Sequence, residues 1–95
     1  MYELSEAAAR DLEQILERSV ADFGLAQTEV CFQSLKACLE LLSDNPDMGD
    51  SVEDIRPGYR RFLHKSHVVF YRASKQGILI IRILHKRMDA NKHLE

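Results

Sequence analysis

The segment GILIIRILH, at residues 77–85, limits the possible folds more than any other part of the sequence. It is rich in β-branched residues, as is HVVFYRA at residues 67–73, so both segments are predicted to be β-strands. The turn-forming residues SKQG between them predict an antiparallel hairpin. A third strand, YRRFLHK at residues 59–65, is predicted just before, which gives a three-stranded meander over residues 59–85.

The first half of the chain has the pattern of helices instead. Residues 1–5 predict a short strand, with Ser5 placed to cap the helix that follows. Helices are predicted for residues 6–23 and 26–44, with Gly24 as the natural end of the first. Two helices joined by so short a turn form an antiparallel hairpin. The predicted apolar stripes consist of Ala8, Leu12, Ile15, Leu16 and Phe23 in the first helix and of Val30, Cys31, Leu35, Cys38, Leu39 and Leu42 in the second.

The predicted fold is a single α+β domain over residues 1–95, with the element order β-α-α-β-β-β and a tail at residues 86–95. The helical hairpin must bury its stripes, and the available partner is one face of a small, mainly antiparallel sheet. Side chains alternate along a strand, which divides the last strand into two faces. We expect the aliphatic face to lie under the helices and the face with Arg82 to form an exposed groove. The first face holds Leu79, Ile81, Ile83 and His85, and the second holds Ile78, Ile80, Arg82 and Leu84.

The charges are divided unequally along the chain. Residues 1–55 hold three basic and 13 acidic side chains, a net charge of −10, whereas residues 56–95 hold ten basic and two acidic ones, a net charge of +8. The basic half is suited to an acidic partner. No apolar run approaches the roughly 20 residues that cross a bilayer, and the start does not resemble a signal peptide. A cytoplasmic location without membrane association is therefore predicted.

Several kinds of chemistry have no support in the sequence. Cys31 and Cys38 lie two helical turns apart, too far for a disulfide, and are predicted to be core residues. His64 and His67 straddle a tight turn without a second pair of ligands, so no metal site is predicted. There is no glycine-rich phosphate loop, and no cofactor is predicted. Both helices are acidic, which argues against a helix that reads DNA and against sequence-specific nucleic-acid binding.

Four motifs, in this order, carry a resemblance to a known family: LLSDNP ending at Pro46, IRPGYRR at residues 55–61, VFYR at residues 69–72 and LHKRMD at residues 84–89. With the predicted element order, the chain resembles the ParE branch of the RelE/ParE toxin superfamily, the toxins of bacterial type II toxin–antitoxin modules, often named plasmid stabilisation proteins. The resemblance implies a RelE/ParE-like fold and a ParD-like antitoxin that wraps and neutralises the toxin in a hetero-oligomer.

The superfamily includes two different activities. RelE-like members cleave messenger RNA in the ribosomal A site, whereas ParE-like members poison DNA gyrase without being nucleases. Metal-free RNA cleavage needs a general base, a general acid and cations that hold the phosphate. If the chain were a nuclease, its catalytic candidates would be Arg61, Arg82, His85 and Arg87. His85 lacks a clear partner, since the tail offers only His93, and the nuclease set is incomplete.

We therefore predict a toxin that inhibits DNA gyrase by binding and is not an enzyme. A ribosome-dependent mRNA interferase is the alternative, and an inactive relative that still binds antitoxin is a second one. Arg82 has a structural alternative, an ion pair with an acid such as Asp89 or one on a helix. Arg60 and Arg61 have another, as solvated residues of an edge strand. The predicted antitoxin- or target-binding residues are Arg60, Arg61, Arg72, Ile80, Arg82, Leu84, His85, Lys86 and Arg87.

Overall fold

The computed structural model describes residues 1–88, in which one long helical segment packs on a five-stranded sheet. Asp89 and His93, which belong to the predicted tail, lie outside the described residues. A 3₁₀ turn, Pro46–Met48, follows the helix. The helix is α1 (Glu6–Asp44), and the strands are β1 (Tyr2–Leu4), β2 (Asp50–Ser51), β3 (Tyr59–His64), β4 (His67–Ser74) and β5 (Gly77–His85).

The strands lie in the order β1-β5-β4-β3-β2. β1 runs parallel to β5, and every other pair is antiparallel. The predicted α+β fold with a mainly antiparallel sheet is therefore confirmed. The two-residue strand β2 was not predicted, because acidic and turn-forming residues dominate its segment. It pairs Asp50 with Arg61 and Ser51 with Arg60.

The segment α1 is a hairpin of two limbs, as the sequence predicts. A straight helix of 39 residues would be about 58 Å long, yet the longest axis of the molecule measures 38 Å. The helix is interrupted at Gly24, where φ is 86° and ψ is 169°. Across the turn, the Thr28 hydroxyl donates to the Ser19 hydroxyl at 2.9 Å, a contact that residues nine apart in one straight helix could not make.

Ser5 connects the start of the helix to the sheet. Its hydroxyl accepts a hydrogen bond from the backbone N–H of Ala8 at 3.0 Å, which is the predicted N-cap. The same hydroxyl donates to the carbonyl of Ile81 at 2.7 Å, and the Ser5 N–H donates to the carbonyl of Ile80 at 2.9 Å. The first turn of α1 is therefore fixed beside β5 where β1 ends.

A β-bulge in β5 makes the predicted assignment of faces wrong for residues 78–81, whereas Ile83 lies under α1 as predicted. The register passes from Phe70 opposite Arg82 to Tyr71 opposite Ile80, so Ile81 has no partner of its own. The extra residue reverses the alternation of side chains. Ile78 and Ile80, expected in the exposed groove, lie fully buried under α1 in one cluster with Ile83.

The opposite face of the sheet also has a small core. Val52 from the loop after β2 packs with Val68, Phe70 and Leu84, and Ile81 borders this cluster. Leu84 is only 2% exposed. Ile80 and Leu84, both predicted to contact a partner, are thus internal residues, and the predicted exposed groove does not exist in that form.

The turn of the hairpin is more exposed than its apolar stripes predict. Phe23 is 69% exposed and Val30 is 62% exposed, although both were expected to face the core. The buried apolar residues of α1 are Ala8 and the group Leu35, Cys38, Leu39 and Leu42, which lie toward the two ends of the segment. Residues near Gly24 do not belong to either buried cluster. Within residues 1–88, no helix has the length and apolar character needed to span a membrane.

Candidate binding surfaces

Arg82, the charge inside the last strand, is paired with an acid on α1. Its Nε donates to Asp11 Oδ2 at 2.6 Å and its Nη2 donates to Asp11 Oδ1 at 2.9 Å. The two side chains are 21% and 11% exposed. The hydrogen bond and the charge of Asp11 raise the pKa of Arg82 against the opposing effect of burial. Asp11 Oδ2 also accepts from the Ile83 N–H at 3.1 Å, so the carboxylate occupies the edge of β5 beyond β1.

Arg60 is engaged in holding the loop before β2. Its Nη1 donates to the Gly49 carbonyl at 2.7 Å, and its Nη2 lies 3.6 Å from the carboxylate of Asp47. The Tyr71 hydroxyl fixes the same loop, since it accepts from the Gly49 N–H at 2.8 Å and donates to the Pro46 carbonyl at 2.8 Å. A Cβ on residue 49 would collide with this hydroxyl, which is why glycine is required there.

Two other arginines lie on the side of the sheet away from α1. Arg61 is opposite Phe70, and Arg72 lies between Tyr59 and Leu79 in neighbouring strands. Both arginines are exposed, and neither forms an ion pair or side-chain hydrogen bond with another residue in the range 1–88. We call this side the open face; its accessible residues are Arg61, Leu63, Arg72, Leu79 and Ile81, with Leu63 56% exposed.

A second basic group forms where three strands end together. His64 is paired with His67 across the β3–β4 turn, and His67 is paired with His85 across β4 and β5. The rings of His67 and His85 meet edge to face with centroids 5.6 Å apart. The Lys86 N–H donates to the Ser66 carbonyl at 2.9 Å, which joins the exit of β5 to the turn. We call this group the basic end; it consists of His64, Lys65, His67, His85, Lys86 and Arg87.

Burial and mutual repulsion act on the imidazoles of the basic end. The pKa of His67 is lowered by burial and further by His85 and His64. The pKa of His64 is lowered by burial and by Lys65, and its Nε2 lies 3.3 Å from the Ser34 hydroxyl. Among residues 1–88, no group of three or more potential ligands is placed to hold a metal ion.

The candidate nuclease residues are only partly brought together. His85 and Arg87 are adjacent, and His85 Nδ1 accepts from the Arg87 N–H at 3.2 Å. Arg82 is directed to Asp11, while Arg61 lies two strands away, at about 10 Å. Within the described part of the chain, no carboxylate or tyrosine hydroxyl is hydrogen-bonded to His85. An ion pair of Arg82 with an acid on a helix was one of the predicted alternatives, and Asp11 is that acid.

Comparison with known proteins shows which family the chain resembles. A family model described as "ParE toxin of type II toxin-antitoxin system, parDE" matches residues 2–90. Toxin ParE1 of Caulobacter vibrioides is 41% identical over 93 residues, covering 98% of this chain and 96% of that protein. Toxin ParE1 of Mycobacterium tuberculosis H37Rv is 36% identical over 94 residues, with the same coverage of 98% and 96%.

A solved structure shares the fold. The chromosomal ParDE toxin–antitoxin system from P. aeruginosa contains a chain that matches with a TM-score of 0.74 at 24% identity, covering 88% of this chain and 92% of that one. The helical hairpin on a mixed sheet is thus an α+β fold that also occurs in a ParDE system. By its family match and its relatives, the chain belongs to the ParE toxin family of type II toxin–antitoxin systems.

Proposed function

We propose that this ParE toxin inhibits DNA gyrase by binding it and is neutralised by a ParD-like antitoxin. The observation that carries the proposal is the contrast between the paired arginine and the exposed arginines of the sheet. Arg82 is committed to Asp11, whereas Arg61 and Arg72 lie exposed beside apolar side chains. The exposed arginines supply cations for contact, and among residues 1–88 no carboxylate or tyrosine hydroxyl is hydrogen-bonded to His85 to complete an acid–base pair.

The open face is the proposed antitoxin site. Leu63, Leu79 and Ile81 offer apolar contact, and Arg61 and Arg72 offer positive charge on the same side of the sheet. An acidic antitoxin segment that is disordered when free would be captured there, with its carboxylates on the arginines and its apolar residues on the strands. The toxin and antitoxin then form a hetero-oligomer in the cytoplasm, where gyrase acts.

The basic end is the proposed target contact. His85, Lys86 and Arg87 are partly or fully exposed at one end of the sheet, where a second protein can reach them. Inhibition through binding needs no proton transfer, so this mechanism requires only that the surface be accessible once the antitoxin is removed. Cations at the rim of an interface also accelerate association.

Two parallel assays with the purified toxin test this function. One measures supercoiling and DNA cleavage by purified gyrase, and the other measures cleavage of messenger RNA on programmed ribosomes. We expect gyrase to be arrested with cleaved DNA while the messenger RNA stays intact. Cleaved messenger RNA with unaffected gyrase would identify an mRNA interferase instead, and no effect in either assay would identify an inactive antitoxin-binding relative.

Variants distinguish the two mechanisms further, because a nuclease and a binding inhibitor respond differently to a single substitution. A single substitution, Arg82→Met or His85→Ala, should nearly abolish a nuclease, because catalytic groups act as a unit. For an inhibitor that acts by binding, His85→Ala alone should leave part of the gyrase inhibition, and charge reversal at Lys86 and Arg87 of the basic end should remove it. Antitoxin binding by the variants shows whether they are folded.

A further inference from the structure

The C-terminal half of the sheet contains no acidic residue of its own. Residues 55–88 hold nine lysines and arginines and three histidines, with no aspartate or glutamate. Arg60 and Arg82 obtain their acids from elsewhere, at Asp47 and Asp11. The residues of the basic end have no such partner: no carboxylate within residues 1–88 forms an ion pair with any of them.

The basic end is also fixed in shape. His64, His67 and His85 occupy paired positions on three adjacent strands, which sets them in a row across the sheet. Neighbouring strands are about 4.8 Å apart, so the row is about 10 Å long. Lys65 extends it on the turn, and the bond from the Lys86 N–H to Ser66 places Lys86 and Arg87 beside that turn. The result is a row of three imidazoles with the cations of Lys65, Lys86 and Arg87 beside it.

We propose that the basic end binds the phosphodiester backbone of duplex DNA without reading its sequence. Backbone contacts of this kind come from Lys, Arg and backbone N–H groups and position a protein without specifying bases. No helix enters a groove, which is consistent with the acidic character of both limbs of α1. The inference adds duplex DNA to gyrase as a ligand of the basic end, and it does not depend on gyrase inhibition because the contact can be measured on DNA alone.

A row of imidazoles held in register by three strands, with Lys65, Lys86 and Arg87 beside it, favours DNA over an acidic peptide. Duplex DNA presents phosphates at regular intervals on a stiff backbone, and a line of fixed donors can meet several of them at once. An acidic peptide has no such regularity and gains little from a fixed row. The open face, with its apolar side chains, is better suited to a protein segment.

The acidic half of the molecule determines how DNA approaches. Residues 1–55 carry a net charge of −10, and α1 carries most of these acids. Repulsion keeps this side away from phosphates, so the sheet end is presented to the duplex. With an overall net charge of −2, the affinity is expected to be low and strongly dependent on salt.

Protonation of His64 and His67 should strengthen the contact. The groups that face them are His64, His67 and His85 themselves, Lys65 on the turn and the Ser34 hydroxyl from α1. Burial and these neighbours lower the pKa of His64 and His67, so both are neutral at neutral pH and gain charge on acidification. A bound phosphate favours the charged forms.

The test is fluorescence anisotropy of a labelled duplex of about 20 base pairs with the full-length toxin, at several salt concentrations. The triple variant Lys65→Gln, Lys86→Gln, Arg87→Gln removes three charges from the basic end. Its matched control, Arg10→Gln, Lys36→Gln, Lys75→Gln, changes the net charge equally at exposed positions elsewhere. We expect the first variant to bind at least about 10-fold more weakly, with the slope of log affinity against log salt reduced by about 2 to 3.

The control variant should bind almost like the wild type, and acidification of the wild type should tighten binding. An equal loss in both triple variants would overturn the proposal, as would no binding at low salt. A polyglutamate peptide that displaces the duplex at equal charge concentration would also overturn it and assign the basic end to an acidic protein segment. None of these results depends on gyrase, so the two proposals fail independently.

Discussion

Arg82 and Asp11 are joined by two hydrogen bonds, of 2.6 Å and 2.9 Å, across 71 positions of sequence. The same carboxylate accepts from the Ile83 N–H at 3.1 Å. The side chain of Asp11 therefore neutralises the charge of Arg82 in β5. It also accepts a hydrogen bond from a backbone N–H on the edge of β5 that β1 leaves unpaired. Asp11 acts in place of a strand at the position where β1 has ended.

Removal of Asp11 should destabilise the protein. Asp11→Ala leaves the Arg82 guanidinium without this acid and the Ile83 N–H without an acceptor, so we expect the free energy of unfolding to fall by about 1–3 kcal/mol. Urea denaturation measures the loss. Glu13→Ala, which removes an exposed carboxylate from the same helix, should change the free energy by no more than about 0.5 kcal/mol.

Tyr71→Phe should loosen the loop before β2. The substitution keeps the ring in the core but removes the acceptor of the Gly49 N–H and the donor to the Pro46 carbonyl. We expect a loss of about 1–3 kcal/mol in thermal or urea unfolding, because a buried N–H is left unsatisfied. Tyr59→Phe, at a half-buried position where no hydroxyl hydrogen bond is formed with residues 1–88, is the control; equal losses in both variants would contradict the role of the Tyr71 hydroxyl.

Stability should fall on acidification. The pKa values of His64 and His67 are lower in the folded protein than their ordinary value of about 6.5. The unfolded chain therefore binds more protons in the window between the folded and unfolded values, and stability is lost as the pH falls through it. The free energy of unfolding, followed from about pH 7.5 to about pH 5, should decrease less steeply in His67→Gln than in the wild type.

Charge reversal on the open face should abolish antitoxin capture. The double variant Arg61→Glu, Arg72→Glu places two acids beside Leu63 and Leu79, so we expect at least about 100-fold weaker binding of a ParD-like antitoxin by calorimetry. Arg10→Glu, Arg18→Glu reverses two exposed charges on α1 and should keep wild-type affinity. If the two double variants bind equally well, the antitoxin site lies elsewhere.

Substitution of Gly24 should destabilise the protein although there is space for a side chain at this position. No atom lies within 4 Å of a Cβ placed there, but φ of 86° with ψ of 169° belongs to a region that only glycine adopts readily. Gly24→Ala should therefore reduce stability by about 1–3 kcal/mol through backbone strain alone. A synthetic chain with D-alanine at residue 24 should recover most of the loss, since D-residues favour positive φ.

The sequence predicts the order of elements well because its signals are local. Ser5 caps α1 as expected, Gly24 interrupts it, and the three strands of the meander lie close to their predicted bounds. Each of these features depends on a few neighbouring residues, through hydrogen bonding to a cap or through the freedom of glycine.

The sequence fails where distant residues decide the outcome. Strict alternation in β5 assigned Ile80 to the wrong face, because the bulge at Ile81 is set by pairing with β4 and has no local signature. Phe23 follows the helical period but lies near the turn, outside both buried clusters. An ion pair of Arg82 with an acid on a helix was anticipated, but the choice of Asp11 depends on elements that only the folded sheet brings together.

The parallel pairing of β1 with β5 has a consequence for how the protein folds. Residues 2–4 are synthesised first but pair with residues 78–80, so the sheet cannot close until almost the whole sheet-forming sequence is available. Contacts of such long range are slow to form, because loop closure must precede any gain from pairing. The nascent chain on the ribosome therefore lacks its completed sheet until residues 78–80 have been synthesised and released from the ribosome.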